Sequence, residues 1–400
     1  MLPSVVTKNV DGSFKVLSKR NLVAKRTLEI KTMPIDKIND LKLHNTALAN
    51  ELREAVNRVL ASGWFVLGPE VNAFEDEFAS YCGVPYCVSV ANGTDALELA
   101  MRGVGVEAGD EVITVANAGM YATTAILSIG AQAIYADVDS ESMNLSAAAA
   151  GRLITTKTKA IVATHLFGKM AEMPQLRKLA DKFGIPLIED CAQSHGAILE
   201  DKQAGAWGDI ASFSFYPTKN LGAIGDGGAV VCSDSNLADR VKALRQYGWK
   251  GKYNVCLEGG RNSRLDELQA AVLRVKLKKL DGWNIRRREI AEIYHREVVN
   301  PQVNKKPAGG ADYVAHLYVI CLENRDSLQR WLATKGIASE IHYPVLDCDQ
   351  MIQKTKYLTC NLDLPVSRAV VGQILTLPCY PELLDEEVLQ VCEGVNEWSP

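Results

Sequence analysis

Three short stretches of this 400-residue sequence place reactive side chains beside glycine or at the end of an apolar run. In the first, Pro186-Leu187-Ile188-Glu189-Asp190-Cys191-Ala192-Gln193-Ser194-His195, a strand-like segment delivers carboxylates at its C-terminal end. A buried carboxylate needs a cationic or protonated partner, because stripping it of water costs on the order of several kcal/mol. For Asp190 taken alone, an N-cap or a structural salt bridge would meet that need equally well. The second stretch is Ser212-Phe213-Ser214-Phe215-Tyr216-Pro217-Thr218-Lys219-Asn220-Leu221-Gly222, followed by Gly225-Asp226-Gly227-Gly228. Here a strand leads into a turn that presents a lysine, and the glycines let a ligand approach the backbone. A lysine desolvated in such a turn loses its proton readily, as an imine-forming amine must. Most lysines are solvated surface charges, so Lys219 is singled out by its company. The third stretch is Ala91-Asn92-Gly93-Thr94-Asp95-Ala96-Leu97, where a strand ends, glycine permits a tight turn and a helix begins. Exposed amides and the positive end of the helix dipole make such a turn an anion site, with the Thr94 hydroxyl as a further donor. Ordinary capping by Asn92 or Thr94 would use the same residues.

The elements that must position these side chains follow from hydrophobic spacing. Continuous apolar runs predict strands over 86–90, 111–115, 133–138, 160–165, 186–189, 210–215 and 229–232, with helices between them such as 96–102 and 173–183. Strands of this kind interleaved with helices imply a mainly parallel sheet covered on both faces, with ligands bound beyond the carboxyl ends of the strands. Before the sheet, Leu48, Leu52, Val56, Val59 and Leu60 predict a helix over 45–62 that stops at Gly63, and a second helix spans 69–81. After it, a long helical pattern runs over 264–294, a loop over 300–312, strands over 313–322 and 340–343, and helices over 327–335 and 385–395. The expected division is a basic extension at 1–32, a large domain at 33–283 and a smaller α+β domain at 284–400.

Composition narrows the partners. Lys plus Arg number 44 against 48 Asp plus Glu, so a net charge of -4 provides no overall field for a nucleic-acid polymer. The 10 cysteines show no CxxC pair and no zinc-like spacing with histidine, and read as buried thiols of a reducing compartment. No run reaches the about eighteen apolar residues of a membrane span, which points to a cytoplasmic location. Metal catalysis lacks a basis, because none of the 6 histidines forms a close-spaced pair with another; His165 and His195 stand at strand ends. The extension carries Lys8, Lys15, Lys19, Arg20, Lys25, Arg26 and Lys31 against Asp11 and Glu29, and reads as an arm rather than a targeting segment.

Taken together, Glu189 to Gly196, Phe213 to Gly222, Gly225 to Gly228, Ser62-Gly63-Trp64-Phe65-Val66-Leu67-Gly68-Pro69 and Asn262-Ser263-Arg264-Leu265-Asp266-Glu267-Leu268-Gln269-Ala270 resemble the DegT-type sugar aminotransferases, within the fold type I pyridoxal-phosphate (PLP) enzymes. The resemblance runs from about Met33 to the C-terminus. It implies an α/β fold with a mainly parallel mixed sheet flanked by helices and a smaller C-terminal α+β domain. It also implies that Lys219 binds PLP covalently, Asp190 pairs with the pyridinium nitrogen and Gln193 bonds the ring hydroxyl. Gly93, Thr94 and Ser214 would hold the phosphate, joined by Asn262 of a neighbouring copy in a homodimer with shared active sites. Trp64, Phe65, His342 and Tyr343 are the candidates for the substrate pocket.

The resemblance further implies that an amino-acid donor, glutamate first, converts PLP to pyridoxamine phosphate, which aminates a nucleotide-linked keto sugar. A dTDP-linked 3-keto-6-deoxyhexose aminated at C-3 is the nearest expectation; C-4 amination of a UDP- or GDP-linked sugar and cyclitol amination are the alternatives. In the PLP-dependent sugar dehydratases of this scaffold the lysine is replaced, typically by histidine, and Lys219 argues against that branch. A PLP-binding regulator would not need the full set of Asp190, Gln193, Ser214, Lys219 and Asn262. In two places the sequence departs from the family's pattern. Gly119 stands where many members have an aromatic residue over the PLP ring, which leaves Tyr121 as the candidate, and Cys348 stands where relatives often have histidine.

Overall fold

In the computed structural model, residues 5–8, 14–17, 34–306, 309–352 and 363–400 are described. The basic arm expected at 1–32 lies outside them, apart from two short strands, Val5–Lys8 and Phe14–Leu17, paired antiparallel.

Two helices, α1 (Leu41–Ala47) and α2 (Ala49–Ser62), replace the one expected over 45–62. The apolar spacing runs through both, but Leu48 leaves helical geometry and turns its N–H to Asn45 and Thr46. Gly63, at φ 65°, ends α2 as expected, a conformation that costs glycine little. Next comes α3 (Pro69–Cys82), with proline in its first turn and Val71, Phe74 and Phe78 buried.

The central sheet has seven strands: β1 (Tyr86–Val90), β2 (Glu111–Val115), β3 (Gln132–Ala136), β4 (Thr158–Thr164), β5 (Leu187–Asp190), β6 (Ile210–Ser214) and β7 (Gly228–Cys232). Their order is β1-β7-β6-β5-β4-β2-β3. Only β7 runs antiparallel to its neighbours, β6 and β1; every other pairing is parallel. Both faces are covered, which is why these strands read as unbroken apolar runs. Ile113, Ile161, Leu187, Ala211 and Val231 pack on one side with Phe74 and Phe78 of α3. The alternate residues Val112, Val162, Ile188, Ile210 and Val230 pack on the other with α4 (Gly93–Gly103), α5 (Tyr121–Ile129) and a helix over Ser235–Leu244.

The helix expected over 173–183 is found at Met173–Phe183. The long pattern over 264–294 resolves into α6 (Glu267–Leu277) and α7 (Leu280–Glu297), which meet at Lys278 and Lys279. The expected division near 283 therefore falls inside α7. Glu267, buried in the first turn of α6, accepts from the amides of Gly68, Glu70 and Val71 at 2.8, 2.9 and 2.8 Å, so one helix supplies the cap of another. The Glu267 amide donates to Phe65 O at 3.0 Å, and Val66 bridges Asp266, which ties down the loop carrying Trp64 and Phe65.

The C-terminal part builds a second sheet from β8 (Asn304–Lys305), β9 (Tyr318–Cys321) and β10 (Ile374–Leu377), all antiparallel. Tyr294, Tyr318, Leu328, Leu332, Leu375 and Val391 share its core. Two expectations change here. The strand over 313–322 forms only at 318–321, because the amides of Val314 and Leu317 are taken by the carbonyls of Gly168 and Phe167 instead of a ladder. The strand over 340–343 reduces to a single bridge between Glu340 and Thr376. Among the described residues no helix is long and apolar enough to cross a membrane.

Candidate active site

The carboxyl ends of β1, β4, β5 and β6 open into a cavity of about 720 Å³. Gly93, Thr94, Tyr121, Asp190, Gln193, Ser214, Lys219, His342 and Tyr343, all singled out from sequence, line it. Asn262, Trp64 and Phe65 do not; Trp64 is 58% and Phe65 49% exposed.

Asn92 caps α4 by accepting from the Asp95 amide at 2.8 Å, which leaves the first amides of the helix facing the cavity. The antiparallel register pairs Ser214 with Gly228 and Gly228 with Val90, and so brings Ser214 against Gly93. A Cβ built on Gly93 would stand 2.5 Å from Ser214 Cβ and 2.9 Å from its Oγ. Glycine is therefore required for space, and helix amides and a serine hydroxyl together form an anion cradle.

Asp190 ends β5 and is 4% exposed. It accepts from the Ala192 amide at 3.1 Å and from Thr164 Oγ1 at 3.3 Å. Burial raises its carboxyl above the ordinary range, and Lys219 acts against that rise. An anion so placed calls for a protonated partner. Burial also lowers the Lys219 ammonium to about 8, opposed by Asp190, so that near neutral pH roughly a tenth of the amine is free of its proton, far more than for a solvated lysine. Gln193 accepts from the Phe167 amide at 2.6 Å, which fixes Oε1; Nε2 donates to Tyr343 Oη at 3.1 Å and has a second hydrogen to offer the cavity.

Tyr343 explains the unusual glycine at 119. A Cβ on Gly119 would stand 3.0 Å from the Tyr343 ring, and Gly119 has φ +79°. Tyr121 meets the same ring edge-on with centroids 6.0 Å apart. Asp347 holds this corner by accepting from the Met120 amide at 2.8 Å and Thr123 Oγ1 at 2.6 Å. His342 Nδ1 lies 2.9 Å from Thr376 Oγ1. Cys348 packs against a small apolar cluster with Tyr135, Leu346 and Leu364 and does not line the cavity.

Glu189 and His165 serve the scaffold. Glu189 accepts from His165 Nε2 at 3.0 Å and from the amides of Gly205, Trp207 and Gly208 at 3.1, 2.8 and 2.7 Å, while His165 Nδ1 accepts from Ala171. His165, Glu189 and Cys191 converge as three metal ligands could, but the imidazole and the carboxylate are already committed. Sequence reasoning missed Thr164, Tyr216, Asp226, His316 and Glu340, and the segment Asp36, Lys37, Ile38 and Asn39, all in the cavity wall. Thr164 was within reach, since it lies at the carboxyl end of the strand expected over 160–165 and ends the strand observed. The segment before α1 carries no local signal.

A desolvated lysine, a buried acid and an anion cradle at the carboxyl ends of a largely parallel sheet define an α/β, fold type I PLP-dependent enzyme. The chain belongs to the DegT/DnrJ/EryC1/StrS aminotransferase family, which matches residues 46–396, and it is a PLP-dependent aminotransferase. It is 43% identical over 362 residues to the dTDP-3-amino-3,6-dideoxy-alpha-D-galactopyranose transaminase of Aneurinibacillus thermoaerophilus, covering 90% of this chain and 98% of that protein. It is 40% identical over 362 residues to the dTDP-3-amino-3,4,6-trideoxy-alpha-D-glucose transaminase of Streptomyces venezuelae, covering 90% and 95%. The crystal structure of S. venezuelae DesV in complex with a ketimine intermediate matches with a TM-score of 0.88 at 39% identity, over 92% of this chain and 99% of that one.

The residues present fit PLP. Its phosphate matches a cradle that a single Cβ would fill, its ring nitrogen matches a buried carboxylate in want of a proton donor, and its ring oxygen matches the spare Gln193 hydrogen.

Proposed function

We propose that this chain transfers an amino group from an amino-acid donor, glutamate first, to C-3 of a dTDP-linked 3-keto-6-deoxyhexose. The two transaminases named above support the sugar, the nucleotide and the position. The observation that carries the chemistry is the meeting of Lys219 and Asp190 in one cavity wall.

In this reading, the N-terminal amides of α4, with Gly93, Thr94 and Ser214, bind the phosphate. Asp190, unable to ionise cheaply without a partner, holds a proton on the ring nitrogen. Gln193 Nε2 donates to the ring oxygen, its orientation set by Phe167. With that nitrogen protonated, bound PLP supplies an electron sink for the pair released when a proton leaves the substrate carbon. Lys219 Nζ would take up that proton and hold it for return, a task suited to an amine that burial brings down to about 8. Tyr121 and Tyr343 exclude water from this face, and His342 and Tyr343 contact the sugar.

The exposed position of Asn262, away from its own cavity, suits a homodimer in which it completes the phosphate site of a second copy, and Trp64 and Phe65 lie where a second copy could also meet them. We further propose two domains, divided within α7, and a cytoplasmic location. Incubation with glutamate and a panel of nucleotide keto sugars tests the assignment. A product in which the C-3 keto oxygen of the dTDP-3-keto sugar is exchanged for an amino group and a hydrogen is expected, and turnover only of a 4-keto substrate would overturn the C-3 assignment.

A further inference from the structure

We propose that Asn144 is a positioning residue for the contact with the cofactor's ring oxygen, acting through Phe167 and Gln193. It holds the turn over 166–169 in the conformation that aims the Phe167 amide at Gln193 Oε1, and so keeps Gln193 Nε2 turned toward the ring. The proposal rests on the ring contact given to Gln193 above. Gln193 has two partners in the protein. Tyr343 Oη accepts from Nε2 at 3.1 Å, but a phenol can donate as well as accept, so it would serve a reversed amide equally well. The Phe167 N–H, whose nitrogen lies 2.6 Å from Oε1, can only donate. Of the two, it alone tells the ends of the Gln193 amide apart.

The direction of that N–H is set by an uncommon backbone. Phe167 has φ 61° and ψ 6°, in the left-handed region that residues with a Cβ avoid. Its φ orients the peptide plane shared with Leu166, which is the plane that carries the N–H. Such a conformation persists only where its surroundings over-determine it, and Asn144 grips the chain on both sides of Phe167. Asn144 Oδ1 accepts from the Leu166 amide at 2.8 Å, and Nδ2 donates to Lys169 O at 2.8 Å. Both partners are backbone groups, so the two ends of the Asn144 amide cannot be exchanged. Asn144 is itself buried, and its carbonyl is fixed by the Asp139 amide at 2.9 Å. The orientation of one buried amide is thereby passed through a strained turn to a second amide in the cavity wall.

The test is a pH titration of the cofactor's visible absorbance in the holoprotein. A donor to the ring oxygen favours its deprotonated form, so loss of that donor raises the midpoint. Gln193→Leu should raise it by about one pH unit, a roughly tenfold change in proton affinity, and Asn144→Leu by at least half as much. Asn300→Leu is the control: it too removes a buried amide, one that donates to Val395 O and Trp398 O at 2.9 Å each and lies outside the cavity wall. It should leave the midpoint in place. A midpoint that moves in Gln193→Leu but not in Asn144→Leu, or that moves equally in Asn300→Leu, overturns the proposal. Should Asn144→Leu not fold, amide hydrogen exchange in the wild-type holoprotein decides: the Phe167 N–H should be strongly protected, and exchange at the rate of an unfolded chain overturns the proposal too. A midpoint unmoved in Gln193→Leu would instead sink the ring contact assigned to Gln193.

Discussion

Replacing Gly93 by alanine sets two effects of known size against each other. Gly93 opens α4 and lies outside the left-handed region, so alanine fits its backbone and would favour the helix by at most about 1 kcal/mol. The new Cβ, however, would come within 2.5 Å of Ser214 Cβ and 3.1 Å of Ser214 Cα. Ser214 cannot swing aside as a flexible tip would, because its backbone is paired with Gly228 in the sheet. Overpacking of this kind costs about 1–3 kcal/mol, so the clash wins and the helix and strand must separate. A phosphate held between them then loses at least one charge-assisted hydrogen bond, about 1.5–3 kcal/mol, or roughly tenfold to a hundredfold in PLP affinity. Gly282 provides the control: it lies within α7, and a Cβ there meets nothing within 4 Å. Gly282→Ala should stabilise the chain by up to about 1 kcal/mol and leave the cofactor untouched. The assays are urea unfolding and PLP titration of the apoprotein by absorbance. PLP affinity within threefold of wild type in Gly93→Ala would refute the cradle.

Lys219→Ala should retain PLP phosphate binding but lose turnover, and borohydride treatment of the wild-type holoprotein should fix the cofactor on Lys219; label on another side chain ends the assignment. Glu189→Ala should cost about 3–5 kcal/mol in urea unfolding, because His165 Nε2 and three amides lose their acceptor in the interior; a cost below about 1 kcal/mol would show that water or rearrangement replaces it. Burial raises Asp347 to about 6 from an ordinary 3.8. Between those values the native state holds more protons than the unfolded one, so this group's contribution is full below the window and falls as pH rises through it, by up to about 3 kcal/mol. Asp347→Asn should remove that slope, and stability curves of the two proteins that stay parallel from pH 4 to 6 would contradict it.

What could be read in advance was whatever lies close together along the chain. The seven sheet strands announced themselves because burial on both faces made each an apolar run, and Gly63 ended its helix for a local steric reason. Within the site, Asp190 and Ser214 end strands and Gln193 and Lys219 lie in the turns just beyond them, so their convergence came with the topology. His316 was not legible: its partner Asn220 lies 96 residues away, and an isolated histidine among apolar neighbours looks like any core residue. The break at Leu48 and the junction at Lys278 and Lys279 were hidden because apolar spacing continues across both. The segment at 313–317 has the composition of a strand, and only the competing carbonyls of Gly168 and Phe167 deny it a ladder.

The Glu267 clasp bears on how copies of this chain would meet. Trp64 lies on the surface, yet its indole N–H is bonded to Val66 O at 2.8 Å, and the chain on either side of Leu67 is fastened to the first turn of α6. Exposed aromatics on a slack loop would have to freeze on contact, and that lost freedom weakens association. Here the freezing is accomplished during folding of the single chain. In the proposed homodimer, a surface prepared in this way would meet its partner as one rigid template meets another, with recognition governed by shape and with tightness expressed mainly as slow separation.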